Sequence, residues 1–165
     1  MDTKKLWRTL PAILLAALIF YFSAEDATAS AASSGNTMLW LLRFFHVENT
    51  DAIIQNSELY SLLDFCIRKS AHFFLYTALG FLISFAFTSF PAIPIWKQTA
   101  FSILLGIFYA ATDELHQYFV PGRACQVRDV AIDAAGVFLG SAFFTFLCWL
   151  RHRYKNHQTN TTKGR

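Results

Sequence analysis

Four long apolar stretches limit what this chain of 165 residues can fold into. They lie at about residues 6–22, 71–90, 96–112 and 130–150. A helix needs roughly 20 mostly apolar residues to cross about 30 Å of hydrocarbon, and all four stretches come near that length. Soluble domains rarely combine 55% hydrophobic with only 15% charged residues. The sequence therefore predicts an all-α, polytopic membrane protein, built as a four-helix transmembrane bundle.

Basic residues at both ends of the chain predict its orientation, because Lys and Arg are enriched in short cytoplasmic loops and tails. They precede the first span, occur at Lys97 between the second and third, and follow the fourth. We expect a multi-pass protein of the cell membrane with both termini cytoplasmic, a single membrane domain over residues 1–150, and a basic, disordered tail over residues 151–165. Residues 23–70 and 113–129 then face outward. An alternative is that the first span is a cleaved signal peptide, which would leave the same outer face.

The outer segment between the first two spans is too long for a turn and has a helical pattern of its own. We expect Ser33–Thr37 to interrupt the chain. Apolar residues then recur at helical spacing, which predicts an extracellular amphipathic helix: Met38, Leu41, Leu42 and Phe45. A second helical piece is expected to begin near Asn49, Thr50 and Asp51, whose side chains can cap free amides, and to run toward the second span.

Helical spacing places small and polar residues together on single faces of the later spans, at 100° per residue. On the third span one stripe carries Gly106, Ala110, Asp113 and Gln117. The corresponding stripe on the fourth span carries Asp129, Asp133, Gly136 and Gly140. The stripe on the second span carries Arg68, His72, Tyr76 and Leu79, with Lys69 at its edge. Small residues four apart mark close contacts between membrane helices, so the carboxylates on these stripes should point into the bundle.

Ionisable groups inside a membrane are costly and by default indicate function. On the predicted outer face, four cations stand against four carboxylates: Arg68, Lys69, Arg123 and Arg128, and Asp113, Glu114, Asp129 and Asp133. Because the cations offset the carboxylates, this pattern requires no bound metal, and we expect neither a metal nor a cofactor. Zinc-like ligands could come from His72, His116, Glu114 and Asp113, but the helical His-Glu-x-x-His arrangement is absent. A salt-bridged structural plug is the alternative to a binding pocket.

Three segments of the chain resemble the motifs of the VanZ-like family: Arg68–Tyr76, Asp113–Gln117 together with Pro121–Arg123, and Asp129–Gly136. The resemblance covers about residues 6–150. Carried over by position, its motif residues are Lys69, His72, Tyr76, Asp113, Glu114, Gln117, Arg123, Asp129, Asp133 and Gly136. One departure is visible, since the family usually has asparagine where this chain has Asp133. An additional buried carboxylate there must be protonated or paired.

The resemblance implies a role in the bacterial cell envelope linked to resistance to the glycopeptide teicoplanin, and it leaves the chemistry open. In a first hypothesis the protein is not catalytic and binds a membrane lipid or a lipid-linked cell-wall precursor. Arginine can hold phosphate through two parallel hydrogen bonds. The ligand-binding residues would then be Arg68, Lys69, His72, Tyr76, Asp113, Glu114, Gln117, Arg123, Asp129 and Asp133.

In a second hypothesis the same residues form a membrane enzyme that hydrolyses or transfers a group on a lipid-linked substrate. The catalytic candidates are Glu114, His72 and Asp113, with a carboxylate or the imidazole as general base. We favour the first hypothesis because the sequence shows no nucleophile. Ser70 lies two residues before His72, and residues at that spacing on a helix do not face each other.

The remaining features are less specific. Cys66 and Cys125 are both predicted near the outer face, where they could form a disulfide or serve as small packing residues. The net charge of +3 comes largely from the chain ends and does not indicate nucleic-acid binding. The sequence does not predict an oligomeric state.

Overall fold

Six helices account for nearly all of the described chain in the computed structural model. The structure describes residues 3–48 and 50–163, with side chains except those of residues 4 and 156–163. The helices are α1 (Thr3–Ser23), α2 (Ala27–Phe44), α3 (Thr50–Gln55), α4 (Ser57–Phe87), α5 (Ile95–Tyr118) and α6 (Val127–Lys163). These described ranges contain no strand, which confirms the predicted all-α class.

Three of the helices, α1, α4 and α6, are long and apolar enough to cross a membrane. They contain the predicted spans at residues 6–22, 71–90 and 130–150, apart from the last three residues of the second. The predicted span at residues 96–112 lies in α5, which has 24 residues but is not among these three helices. Large apolar side chains project outward from the helices and are more than half exposed, among them Ile13, Phe74, Phe108 and Phe138. Such extensive apolar surface is expected where lipid surrounds a protein.

Two helices extend well beyond the spans predicted for them. The 31 residues of α4 correspond to about 46 Å, which exceeds the roughly 30 Å of a hydrocarbon layer. Its first turns therefore carry polar motif residues beyond the apolar part of the helix. Helix α6 continues past Leu150 to Lys163, and its bounds include residues 151–163 of the basic tail, for which the sequence predicts disorder.

The segment between the first two spans is helical, but its helices do not have the predicted bounds. Helix α2 begins at Ala27 because the Asp26 carboxylate accepts a hydrogen bond from the Ala29 amide at 2.8 Å. The interruption predicted at Ser33–Thr37 is wrong, since these residues lie inside α2. Ser34 is buried there, and its hydroxyl donates to the Ser30 carbonyl and to a carboxylate of α4, so this polar group is satisfied within a helix.

The second predicted helical piece is the short α3, which does not run on into the second span. Asn56 separates the two helices and caps α4, because its side-chain oxygen accepts a hydrogen bond from the Leu59 amide at 3.0 Å. Thr50 and Asp51, expected near the start of this piece, are its first two residues. Asn49 lies outside the described residues.

Helices α4 and α6 pack at very short range along a seam of glycines. A Cβ atom added to Gly140 would lie 1.8 Å from the Thr77 carbonyl oxygen, and one added to Gly80 would lie 2.3 Å from the Val137 carbonyl oxygen. Only glycine permits such backbone contact. The predicted stripes of small residues on α5 and α6 are confirmed, because Gly106, Ala110, Gly136 and Gly140 are all buried. This close packing sets the relative positions of the polar residues one or two turns further along.

Candidate functional site

The predicted motif residues meet at one end of the bundle, which we call the motif end. It contains the last turn of α1, the first half of α4, the end of α5 and the first turns of α6. A pocket of about 290 Å³ opens there, which we call the cationic pocket. Its principal lining residues are Phe65, Arg68, Lys69, His72, Arg123 and Arg128.

Positive charge exceeds negative charge in the cationic pocket. All four predicted cations line it, whereas Asp129 is the single carboxylate among its described lining residues. Lys69 forms an ion pair with Asp129, and Arg68 forms one with Asp64, one helical turn earlier on α4. Among the lining residues and their ion-pair partners, four cations stand against two carboxylates, which is a surplus of two positive charges. The Glu25 carboxylate lies near Arg123 and partly offsets its charge. The predicted balance of four against four therefore does not hold within the pocket, because the other three predicted carboxylates lie behind it.

Arg123 differs from the other three cations of the pocket, each of which forms an ion pair. Its guanidinium donates to the Phe22 carbonyl oxygen at 3.4 Å and forms no ion pair with any carboxylate in the described part of the chain. Burial, and then the nearby Arg68, lower the pKa of Arg123. A guanidinium that is partly desolvated and next to a second cation is stabilised by an anion.

The loop that carries Arg123 is held against the start of α2. Gly122 has φ of 75°, in the left-handed region that favours glycine, and a Cβ atom there would lie 2.9 Å from the Ala27 side chain. The Ala27 amide donates to the Pro121 carbonyl at 3.3 Å. The Pro121-Gly122 turn therefore positions Arg123 over the pocket.

Phe65 forms an aromatic wall of the pocket that the sequence analysis did not predict. The Lys69 ammonium lies 5.6 Å from the centre of its ring, and the Arg128 guanidinium lies 4.9 Å from it. Cation–π contacts at these distances keep two long side chains near the opening.

Behind the cationic pocket, Asp113 is buried and surrounded by hydrogen-bond donors. Its Oδ2 atom accepts from the Ser23 hydroxyl at 2.8 Å, from the Tyr76 hydroxyl at 3.0 Å and from the Gln117 amide at 3.4 Å. Tyr76 and Gln117, predicted as ligand-binding residues, thus contact Asp113, although Gln117 also lines the pocket. Ser23 is fully buried and joins α1 to this network.

Asp133 and His72 lie beside this network. Asp133 is a buried residue at 2% exposure, and its Oδ2 atom lies 3.8 Å from the Nδ1 atom of His72. His72 also lines the cationic pocket. One potential metal-ligand atom from each of His72, Asp113 and Asp133 lies within 4.8 Å of the other two. This group of described residues therefore has the geometry to hold a metal ion.

Glu114, predicted as a ligand-binding residue and a catalytic candidate, lies outside the lining of the cationic pocket. It is buried at 2% exposure, and its Oε1 atom accepts a hydrogen bond from the Gln126 amide at 2.7 Å. Because Gln126 directly precedes α6, Glu114 anchors the start of that helix and is absent from the pocket lining. His116 also turns away, since its ring stacks on Phe20 with the ring centres 4.4 Å apart.

Several residues of the site were not identified from the sequence. Asp64, which pairs with Arg68, had a detectable pattern, because oppositely charged residues four apart on a helix are neighbours. Ser23 had none, since it lies 90 residues away from its partner Asp113. Cys66 and Cys125 are free thiols, so the disulfide considered from the sequence is not formed.

A groove lies next to the cationic pocket, between α1, α2 and α4. It encloses about 260 Å³, and apolar side chains such as Phe22, Ile67 and Leu75 form much of its wall. Arg68 and His72 line both cavities, so they stand at the boundary between the polar and the apolar space. We call this space the side groove.

The helices and this site together define an all-helical membrane protein with a cationic pocket at one end of its bundle, backed by buried carboxylates. A family model described as VanZ/LLP1 matches residues 9–149. The chain belongs to the VanZ-like family, as its motifs predicted. No curated protein and no solved structure is significantly similar to it.

Proposed function

We propose that this protein binds the phosphate of an anionic membrane lipid or of a lipid-linked cell-wall precursor in the cationic pocket. The surplus of two positive charges carries this proposal, together with an Arg123 guanidinium that has no carboxylate partner among the described residues. Phosphate accepts paired hydrogen bonds from arginine, and Arg68, Lys69 and Arg123 provide the donors.

The side groove supports a lipid over a soluble phosphate compound. A phosphate in the cationic pocket would have the apolar wall of the side groove directly beside it, with Arg68 and His72 between the two spaces. This arrangement suits an amphiphile whose head group and first chain carbons occupy adjacent cavities.

The proposed topology has α5 as a fourth span, with both termini in the cytoplasm and the motif end on the outer face. Basic residues near both ends support this orientation. Helices α2 and α3 would then form an extracellular segment over the bundle. A protein that holds lipid-linked wall precursors at the outer leaflet would change what a glycopeptide reaches, and this is how we connect the pocket to teicoplanin resistance.

The alternative function is a membrane enzyme that hydrolyses or transfers a group on a lipid-linked substrate. The convergence of His72, Asp113 and Asp133 beside the pocket favours it, because an imidazole next to a carboxylate can act as a general base. Glu114 is a weaker candidate for this role, since its carboxylate already holds the Gln126 amide. Ser70 is exposed and lines a different small pocket.

Lipid binding can be tested with purified protein in nanodiscs of phosphatidylcholine, with phosphatidylglycerol or undecaprenyl diphosphate added. We expect Arg123→Ala to weaken binding of the anionic lipids about 10- to 100-fold, since a hydrogen bond to a charged group contributes about 1.5–3 kcal/mol. Arg123→Lys should recover part of this affinity. The matched control is Arg43→Ala, which removes one exposed arginine outside the pocket. Equal losses in Arg123→Ala and Arg43→Ala would contradict the proposal.

Cells expressing Arg123→Ala, His72→Ala or the control Arg43→Ala distinguish the two functions. We expect Arg123→Ala to lower teicoplanin resistance at unchanged membrane levels, with the chemistry of extracted lipid-linked precursors unaltered. A precursor that accumulates or disappears in His72→Ala cells but not in Arg43→Ala cells would support the enzyme instead.

A further inference from the structure

Two buried carboxylates behind the cationic pocket have no Lys or Arg partner among the described residues. Lys69 and Arg68 form ion pairs with Asp129 and Asp64, and neither forms one with Asp113 or Asp133. Within the described part of the chain, Asp133 forms one ion pair, with His72 at 3.8 Å. An uncompensated charge in a buried site is costly, and two of them close together are costlier. Such a pair favours a bound proton or a bound metal cation.

Asp113 has an oxygen that remains free. The carboxylate is 3% exposed, and its Oδ2 atom accepts all three of the hydrogen bonds from Ser23, Tyr76 and Gln117. Its Oδ1 atom is buried and has no hydrogen-bond partner among the residues that the structure describes. Buried carboxylate oxygens are almost always satisfied, so an oxygen held without a donor indicates a missing ligand.

The geometry points to a binding site for a divalent transition-metal ion such as Zn²⁺, held by His72, Asp113 and Asp133. One potential ligand atom from each residue lies within 4.8 Å of the others. Two ligands on one ion at about 2.0–2.2 Å are at most about 4.4 Å apart, so small side-chain rotations complete the set. One imidazole and two carboxylates are a mixed ligand set that suits Zn²⁺ better than Mg²⁺ or Ca²⁺, which favour oxygen ligands alone.

The site also has the features that surround metal ligands in proteins. Ser23, Tyr76 and Gln117 orient Asp113 through its second oxygen, which is the role of residues that hold metal ligands in place. Three protein ligands leave a position open, and His72 lies at the wall of the cationic pocket. The metal would thus lie next to the space that we propose for a phosphate. In this chain Asp133 supplies a charged ligand where an asparagine would supply a neutral one.

The site can be tested with the full-length protein in detergent, with affinity tags removed and no lipid added, so that the result is independent of the proposed lipid binding. After incubation with Zn²⁺ and dialysis, we expect about one Zn²⁺ per chain by elemental mass spectrometry. His72→Ala and Asp133→Asn should retain less than a tenth of that amount. The matched controls are His116→Ala, a histidine at the same end, and Glu58→Gln, an exposed carboxylate of α4, and both should bind Zn²⁺ like the wild type.

A measurement on the wild-type protein covers the case in which a variant does not fold. Zn²⁺ at a hundredfold excess over its Kd should raise the Tm of the wild-type protein by about 5–10 °C, because a ligand that binds only the folded state stabilises it. Substitution with Co²⁺ should give visible absorption bands of nitrogen and oxygen coordination. The proposal is overturned if the wild-type protein retains no Zn²⁺, or if His116→Ala loses as much Zn²⁺ as His72→Ala does. Asp113 and Asp133 would then share a proton.

Discussion

Replacing Gly140 with alanine tests the packing that brings the site together. Its added Cβ atom would lie 1.8 Å from the Thr77 carbonyl oxygen and 2.8 Å from the Thr77 carbonyl carbon. Both atoms belong to the backbone of α4, so no side chain can swing aside. To reach 3.4 Å, the lower limit of ordinary contact, the atoms must separate by 3.4 − 1.8 = 1.6 Å. Helix α6 must therefore move away from α4.

The expected change in the free energy of unfolding of Gly140→Ala follows from two opposing effects. Overpacking a close contact typically costs about 1–3 kcal/mol. We expect Gly140→Ala to lie at the upper end of this range, because the atoms that its Cβ would meet belong to the backbone of α4. Alanine gains about 1 kcal/mol over glycine in a helix. We therefore expect a net loss of about 2 kcal/mol in the free energy of unfolding, which corresponds to about 30-fold in the unfolding equilibrium. The same movement separates His72 on α4 from Asp133 on α6.

The assay is reversible unfolding of the protein in mixed micelles, followed by circular dichroism. The matched control is Gly35→Ala in α2, where the added Cβ would meet the Tyr60 hydroxyl oxygen at 2.6 Å. That atom is the far end of a flexible side chain, which can move at little cost, so the control should be near neutral or up to about 1 kcal/mol more stable. The reasoning fails if Gly140→Ala is as stable as the wild type, or if both alanine variants lose the same stability.

Three further predictions concern single polar contacts. Ser23→Ala should lower the free energy of unfolding by about 1–3 kcal/mol, because the buried Asp113 loses a donor, whereas the exposed Ser61→Ala should change it little in the same assay. Glu114→Gln should retain teicoplanin resistance and membrane levels, since its side-chain oxygen can still accept the hydrogen bond from the Gln126 amide, whereas Glu114→Ala should lower both. A well-folded Glu114→Gln protein without teicoplanin resistance would instead indicate that Glu114 is a general base. Hydrogen bonds from the Ala29 amide and the Thr28 hydroxyl lower the pKa of Asp26, so its cap on α2 persists above its ordinary pKa of 3.8 and weakens as pH falls below it. Amide exchange in α2 should therefore accelerate in acid relative to other helices, but not in Asp26→Asn.

Much of the architecture could be predicted from local sequence patterns. The apolar runs indicate helices, and three of them coincide with helices long and apolar enough to span a membrane. The four-residue spacing of Gly136 and Gly140 identifies the face that packs most closely. Where the prediction failed, at Ser33–Thr37, a tertiary contact overrides local propensity, because the Ser34 hydroxyl finds its acceptors on α2 and on α4. Polar residues within one segment cannot reveal a partner on another.

Within the site, the sequence by itself determined which polar residues share a helix face, since that depends only on the 100° step between neighbours. It placed Asp113 and Asp133 inside the bundle, and both are buried. Only the tertiary structure decided how the charges are distributed. In the folded protein the four cations lie around one pocket, and the Glu114 carboxylate accepts a hydrogen bond from the Gln126 amide. Asp113 and Asp133 lie together with His72. The physical reason is that charge compensation depends on distances between helices, and counting charges along a chain contains no such distances.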